Sequence, residues 1–117
     1  MDKFSSELMR GSLDLMVLSI LSDGPKYGYL IQQRLRVASR DMARLQAGTL
    51  YPLLHRLEAD KLIRSRWDAG TGRRRKWYEL SAAGRARLKH QAHQWQEYAE
   101  CLRALLAPVL DSPGQPA

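Results

Sequence analysis

The sequence predicts an α+β fold that is mainly helical, with one small β-ribbon late in the chain. Three observations carry this. Apolar residues recur at helical spacing through the first half. The period shortens between residues 62 and 80, where aromatic and β-branched residues sit among charges. A helical heptad pattern then resumes after Ser81. At 117 residues there is room for one domain with one added element, and 44% hydrophobic with 26% charged residues is an ordinary globular balance.

Leu13, Leu15, Met16, Val17, Leu18, Ile20 and Leu21 make a first helix that is apolar nearly all round, hence expected to be buried, with Ser12 as its N-cap. Asp23-Gly24-Pro25 stops it, because glycine takes a C-cap conformation and proline cannot continue a helix. Tyr27, Leu30, Ile31 and Leu35 predict a second helix over residues 27–38. Residues 39–46 read as a turn region. Leu50, Leu53, Leu54 and Leu57 predict a third helix. Pro52 is tolerable only near its first turn, so the helix is expected to begin at residues 47–49 and to end near Asp60.

Residues 62–67 and 75–80 read as the two strands of a ribbon, joined by a polar loop with Gly70 and Gly72 at its tip. Ser81 caps a final helix. On it Leu88, Ala92, Trp95, Ala99, Leu102, Leu106 and Val109 are spaced alternately four and three, an a/d seam. Pro108 is expected to end that helix around Ala107, and residues 111–117 form a disordered tail by composition. Three short helices followed by a hairpin is the winged helix-turn-helix plan. Its expected extent is residues 1–80, with a dimerisation helix at 81–110.

The formal net charge of +7 is not needed for folding and speaks to partners: nucleic acid, an anionic membrane surface, or water alone. The ribbon holds six basic and two acidic residues, more than half of that excess. The apolar stretch at 13–21 is interrupted by Asp14 and Ser19 and is far shorter than the ~20 residues that span a bilayer. The start lacks the layout of a signal peptide, and the one cysteine, Cys101, allows no internal disulfide. A cytoplasmic protein is expected.

The start of the third helix is the first candidate site, since this plan aims it into the major groove. Gly48 allows close backbone approach, Thr49 and Tyr51 offer hydroxyls, and Pro52 offers an apolar face to a thymine methyl. Gln46, His55 and Arg56 are expected on the exposed side. The alternative is an ordinary amphipathic helix with Tyr51 half-buried. Arg73, Arg74, Arg75 and Lys76 form the second candidate, a wing along the phosphate backbone or in the minor groove, against a merely solvated charge run. The third is the seam. Leu88, Ala92, Trp95, Ala99, Leu102 and Leu106 need a partner, most simply a second copy. Trp95 there either packs a dimer core or offers a flat platform for a hydrophobic ligand. His90, His93 and Cys101 lack the carboxylates and spacing of a metal site. No phosphate-binding glycine loop, nucleophile elbow or HExxH motif is present, so neither catalysis nor a cofactor is expected.

Four anchors, in order along residues 8–106, resemble the short subgroup of the PadR family of bacterial transcriptional regulators. They are Gly11-Ser12-Leu13-Asp14-Leu15-Met16-Val17-Leu18, Gly24-Pro25-Lys26-Tyr27-Gly28-Tyr29, Gly48-Thr49-Leu50-Tyr51-Pro52-Leu53-Leu54-His55-Arg56-Leu57-Glu58, and the segment from Arg73-Arg74-Arg75-Lys76 through Trp77-Tyr78-Glu79-Leu80 to Gly84. The resemblance implies a homodimer that represses transcription and leaves its operator when an effector, often aromatic or a drug, binds. It implies that Trp95 stacks on such a ligand at the dimer centre, with Leu8, Met9 and Ala99 as neighbouring contacts. Lys61 stands where the family commonly has glycine. If that position is left-handed, the substitution costs roughly 1 kcal/mol. A nucleoid-type architectural DNA binder, and a winged helix that binds protein or RNA, remain as alternatives.

Overall fold

A computed structural model describes residues 4, 5, 9–68, 70, 72 and 74–111. Among these described residues, four α-helices and three strands run in the order α1 (Leu13–Ile20), β1 (Lys26–Tyr27), α2 (Gly28–Ala38), α3 (Ala47–Ala59), β2 (Ile63–Trp67), β3 (Lys76–Leu80) and α4 (Ala82–Leu110). The architecture is the expected mainly helical α+β one, with one correction. The ribbon is a three-stranded antiparallel sheet in the order β1-β3-β2. Lys26 pairs with Tyr78 and Tyr27 with Trp77. Two residues are too few to show an alternating pattern, so β1 could not be read from the sequence.

The core collects Val17, Leu18 and Leu21 from the first helical segment, Ile31 from α2, Leu50, Leu54 and Leu57 from α3, and Ile63 from β2, all fully buried. Each such side chain contributes about 1.5–3 kcal/mol of transfer free energy. The first helix is less enclosed than expected: Leu13, Leu15, Met16 and Ile20 are only half-buried in one chain. Ser12 is its N-cap residue as expected, but its side chain makes no capping bond. A 3-10 turn at Arg10–Ser12 leads straight into α1, and the Ser12 hydroxyl donates to the Met9 carbonyl at 3.1 Å instead. Gly24 at φ 145° does make the stop.

Helices α2 and α3 end alike. After α2, the Arg40 amide donates to the Val37 carbonyl and the Asp41 amide to that of Arg36. After α3, Lys61 donates to Glu58 and Leu62 to Leu57. This paired closure requires a left-handed residue just past the cap, and Arg40 (φ 54°) and Lys61 (φ 63°) occupy it without being glycine. Replacing Lys61 by glycine is expected to stabilise the fold by about 0.5–1 kcal/mol. The relief of left-handed strain exceeds the entropy that glycine adds to the unfolded chain. The thermal midpoint should rise by about 3 °C; an unchanged or lower midpoint would mean that the lysine side chain makes compensating contacts.

Ser81 caps α4 as expected, its hydroxyl accepting from the Gly84 amide at 3.0 Å. The expected end at Ala107 is corrected: α4 continues through Pro108 to Leu110. Proline removes one hydrogen bond, but its φ is helical, and the Asp111 amide still closes on the Ala107 carbonyl at 2.9 Å. Only Gly84 of this 29-residue helix is buried. Its distal half therefore stands away from its own domain. The tail at 112–117 lies outside the described residues.

Candidate nucleic-acid interface

The amphipathicity of α3 divides it cleanly. Leu50, Leu53, Leu54 and Leu57 point into the core, while Gln46, Gly48, Thr49, Tyr51, Pro52, His55 and Arg56 are all exposed. Gln46 is the N-cap residue. Its carbonyl accepts from Thr49 and Leu50, and its side chain makes no capping bond. The helix begins at Ala47, within the expected range, which puts Pro52 in its second turn. The hydrogen bond it forfeits would have run to Gly48, whose exposed position keeps that carbonyl open to water. The segment before α3 is held firmly. Gln32 Nε2 donates to the Leu45 carbonyl at 2.8 Å, and Ser39 Oγ accepts from the Ala43 amide at 3.0 Å.

Tyr51 is 40% exposed and lies across the start of α2. A Cβ on Gly28 would come within 2.2 Å of the Tyr51 hydroxyl. Glycine at position 28 thus lets the phenol lie flat over the backbone, one edge packed and one in solvent. Arg56 pairs with Asp14 of α1. A phosphate contact from Arg56 would compete with that ion pair, which joins residues 42 apart in the chain.

The wing supplies the other wall. In the β2–β3 register, Ile63 faces Leu80, Ser65 faces Tyr78 and Trp67 faces Lys76. Ile63, Tyr78 and Leu80 are buried, so this face of the sheet is the one packed on the core, and Trp67 and Lys76 extend it beyond the core toward the wing tip. Arg64, Arg66 and Trp77 fall on the other face, where Tyr27 meets Trp77 edge-on at 5.1 Å. The basic run that looks like one block in the sequence is thereby split. Arg74 lies over the Trp67 ring at 4.7 Å, whereas Arg75 lies over Tyr27 at 4.4 Å. Glu58 of α3 ties the two walls together. It accepts from Ser65 Oγ and sits 4.0 Å from Lys76 Nζ. Burial, then the neighbouring Tyr51 and Glu58, push the Tyr78 phenol above its ordinary pKa, so it is neutral here.

Between α3, the start of α2 and the wing lies an open cleft of about 740 Å³. It brings Tyr51 and His55 together with Arg74, Arg75 and Lys76, five of the expected site residues, and adds Trp67 and Tyr27. Gln46, Gly48, Thr49 and Pro52 continue the exposed surface at the helix start rather than line the cleft. Arg73 lies outside the described residues. Sequence reasoning missed Trp67, although strict alternation from Ile63 would have put it on the α3 face.

The seam residues are exposed at Ala92, Ala99, Leu102 and Leu106, while Leu88 is half-buried against the core. Trp95 rests against Gly11, where a Cβ would lie 3.9 Å from its ring, and meets Tyr98 edge-on at 5.6 Å. A shallow recess of about 260 Å³ opens beside Gln94, Trp95 and Tyr98. One turn earlier, Gln91 Oε1 is a buried side-chain oxygen with no hydrogen-bond partner among the described residues. Met9 is not brought to Trp95's recess. It is buried in the core and lines a different recess with Phe4 and Gln46. Leu8 lies outside the described residues. Among those described, no cluster of three or more His, Cys, Asp or Glu is placed to hold a metal, and no helix is long and apolar enough to cross a membrane.

The model of the transcriptional regulator PadR-like family matches residues 17–90. A transcriptional regulator of Mycobacterium tuberculosis is 39% identical over 93 residues, covering 80% of this chain and 84% of its own. Among solved structures, a PadR family transcriptional regulator from Eggerthella lenta superposes with a TM-score of 0.75 at 37% identity, covering 86% of each chain. A transcriptional regulator from Clostridium thermocellum reaches 0.78 at 28% identity, covering 85% of this chain and 97% of that one.

Proposed function

The chain belongs to the PadR-like family of transcriptional regulators, DNA-binding proteins rather than enzymes, and from that premise we propose that it acts in the cytoplasm as a homodimeric repressor on a pseudo-palindromic operator. The observation that carries the DNA surface is the cleft in which the exposed residues of α3 face the stacked cations of the wing. Each copy sends the start of α3 into a major groove, Thr49, Tyr51 and Pro52 reading bases, while Arg74, Arg75 and Lys76 meet phosphates beside it. The exposed seam of α4 pairs two copies, so that the two grooves are successive ones, about 10 bp or a multiple apart.

Selection of bound sequences from random duplexes by the purified protein tests this. A pseudo-palindrome with that spacing is the expected product. A specific-to-nonspecific affinity ratio near one would instead identify an architectural DNA binder. The wing is tested by its salt dependence. Replacing Arg74 and Arg75 with alanine should weaken binding to every duplex and flatten the plot of log K against log salt by about 0.9 per lost phosphate contact. An unchanged slope would remove the wing from the interface.

Release by a flat hydrophobic effector is proposed at Trp95. The recess beside Trp95 and Tyr98 and the unpartnered Gln91 oxygen support it, as does the exposure of Ala99 one turn further on. Quenching of Trp95 emission by planar hydrophobic compounds, in a chain whose Trp67 and Trp77 are phenylalanine, is the readout. If compounds that quench leave DNA affinity unchanged, Trp95 serves the dimer core alone.

A further inference from the structure

The protein treats its arginines in two ways. Arg36 and Arg44 pair with Asp41, Arg56 with Asp14, and Arg64 with Glu79. Those cations are partly neutralised, and some of their N–H edges are occupied. Arg74 and Arg75 are held differently, each over an aromatic ring. Among the described residues no carboxylate pairs with Arg74, and its guanidinium carbon sits 4.7 Å from the centroid of the Trp67 ring. A contact with a ring, unlike an ion pair, leaves the cation's charge uncancelled and its N–H donors without a carboxylate partner. Lys76 Nζ sits 6.0 Å from the same ring on one side and 4.0 Å from Glu58 on the other. Trp67 itself is 54% exposed, an unusual place for an indole on the same strand face as the fully buried Ile63.

We propose that Trp67 is a positioning residue of the DNA interface: its indole is the plate that holds the Arg74 guanidinium, and steers Lys76, on the α3 side of the wing with donors open to a phosphate. Arg74 precedes β3 and has no ladder to fix it, so without the plate its long side chain would sample many rotamers and lose them on binding. The inference rests on the reading that the cleft is the DNA surface.

The experiment uses the full chain and a 30-base-pair duplex of mixed sequence, with affinities measured over a salt series and thermal midpoints measured alongside. Trp67→Ala should weaken binding by about three- to tenfold. Trp67→Phe should recover most of the loss, because a ring remains, and Trp67→Leu should not, because an aliphatic side chain packs without attracting a cation. The losses from Trp67→Ala and Arg74→Ala should not add in the double variant, since both remove one contact. In a chain with Trp77 and Trp95 replaced by phenylalanine, Trp67 emission should change when the duplex binds. If Trp67→Leu binds as well as Trp67→Phe at matched midpoints, the indole is mere packing and the proposal falls. Should Arg74→Ala weaken binding while Trp67→Ala does not, the wing reading stands and this inference fails. Were neither to matter, the cleft would not be the DNA surface and both would fall. The Leu and Phe variants decide the matter even if Trp67→Ala does not fold.

Discussion

Replacing Leu102 and Leu106 together with glutamate is expected to leave the chain folded, monomeric, and at least ~100-fold weaker on a duplex carrying two half-sites. The fold should survive because both side chains are already exposed in one chain, at 39% and 41%, and because α4 buries only Gly84 against its own domain. The dimer should not. Positions a and d of a seam meet their counterparts in the partner, so two glutamates per chain place like charges in a desolvated contact. Tyr98, Leu105, Val109 and Leu110, all exposed, leave a large apolar surface on this helix, which supports the proposed pairing of two copies. The loss of affinity follows from effective concentration. A tethered second half-site is bound at roughly millimolar local concentration, and a monomer forgoes that gain. Sedimentation equilibrium reads the first effect and titration of full-site against half-site duplexes the second. A variant that still sediments as a dimer would show that the seam is not the contact.

A single methyl group should be almost as damaging at Gly84. Glycine to alanine inside a helix ordinarily stabilises by about 1 kcal/mol. Here the sign is expected to reverse, with a loss of about 2–3 kcal/mol and a fall in the thermal midpoint of around 10 °C. The added Cβ would lie 1.9 Å from the Leu62 carbonyl oxygen and 3.0 Å from its carbon, which are backbone atoms and cannot swing away. That carbonyl also accepts from the Ser81 amide at 3.0 Å, and Ser81 Oγ donates to the Lys61 carbonyl at 2.7 Å. The first turn of α4 is thus docked backbone to backbone on the turn that follows α3. Since α4 is about 43 Å long at ~1.5 Å per residue, a small tilt at its root displaces its far end by several ångströms and would disturb the spacing of the two α3 helices in the proposed dimer. Calorimetry of Gly84→Ala is a sharp test, because a raised midpoint would contradict the docking outright.

Much of the fold was legible because local rules were strong where they applied. The leucines of α3 state its buried face, Asp23-Gly24-Pro25 can only be a stop, and Ser81 sits where a helix needs an oxygen for its Gly84 amide. The misses share a cause. Ser12 stands at the N-cap as composition suggests, yet the chain before it is already in a 3-10 turn, so its hydroxyl goes to the Met9 carbonyl rather than to an amide of the helix. Pro108 satisfies the rule for a stop, yet one missing hydrogen bond in the last turn is tolerable when the next closes. The two-residue strand β1 exists only because β3 offers it an edge.

For the site, the division is similar. The sequence alone determined that a basic wing follows an amphipathic helix with a polar, glycine-opened start, and that a heptad seam follows both. These properties depend on residues within a turn or two of one another. Tertiary structure alone decided which cations stay free. It paired Arg56 with Asp14 across 42 residues, laid Arg74 on Trp67 and Arg75 on Tyr27, and made Gly28 a seat for Tyr51. Side-chain chemistry states what a residue can bind. Whether a carboxylate or an aromatic ring arrives within a few ångströms depends on the path of the folded chain, and that path sets how much of the +7 charge is left to meet DNA.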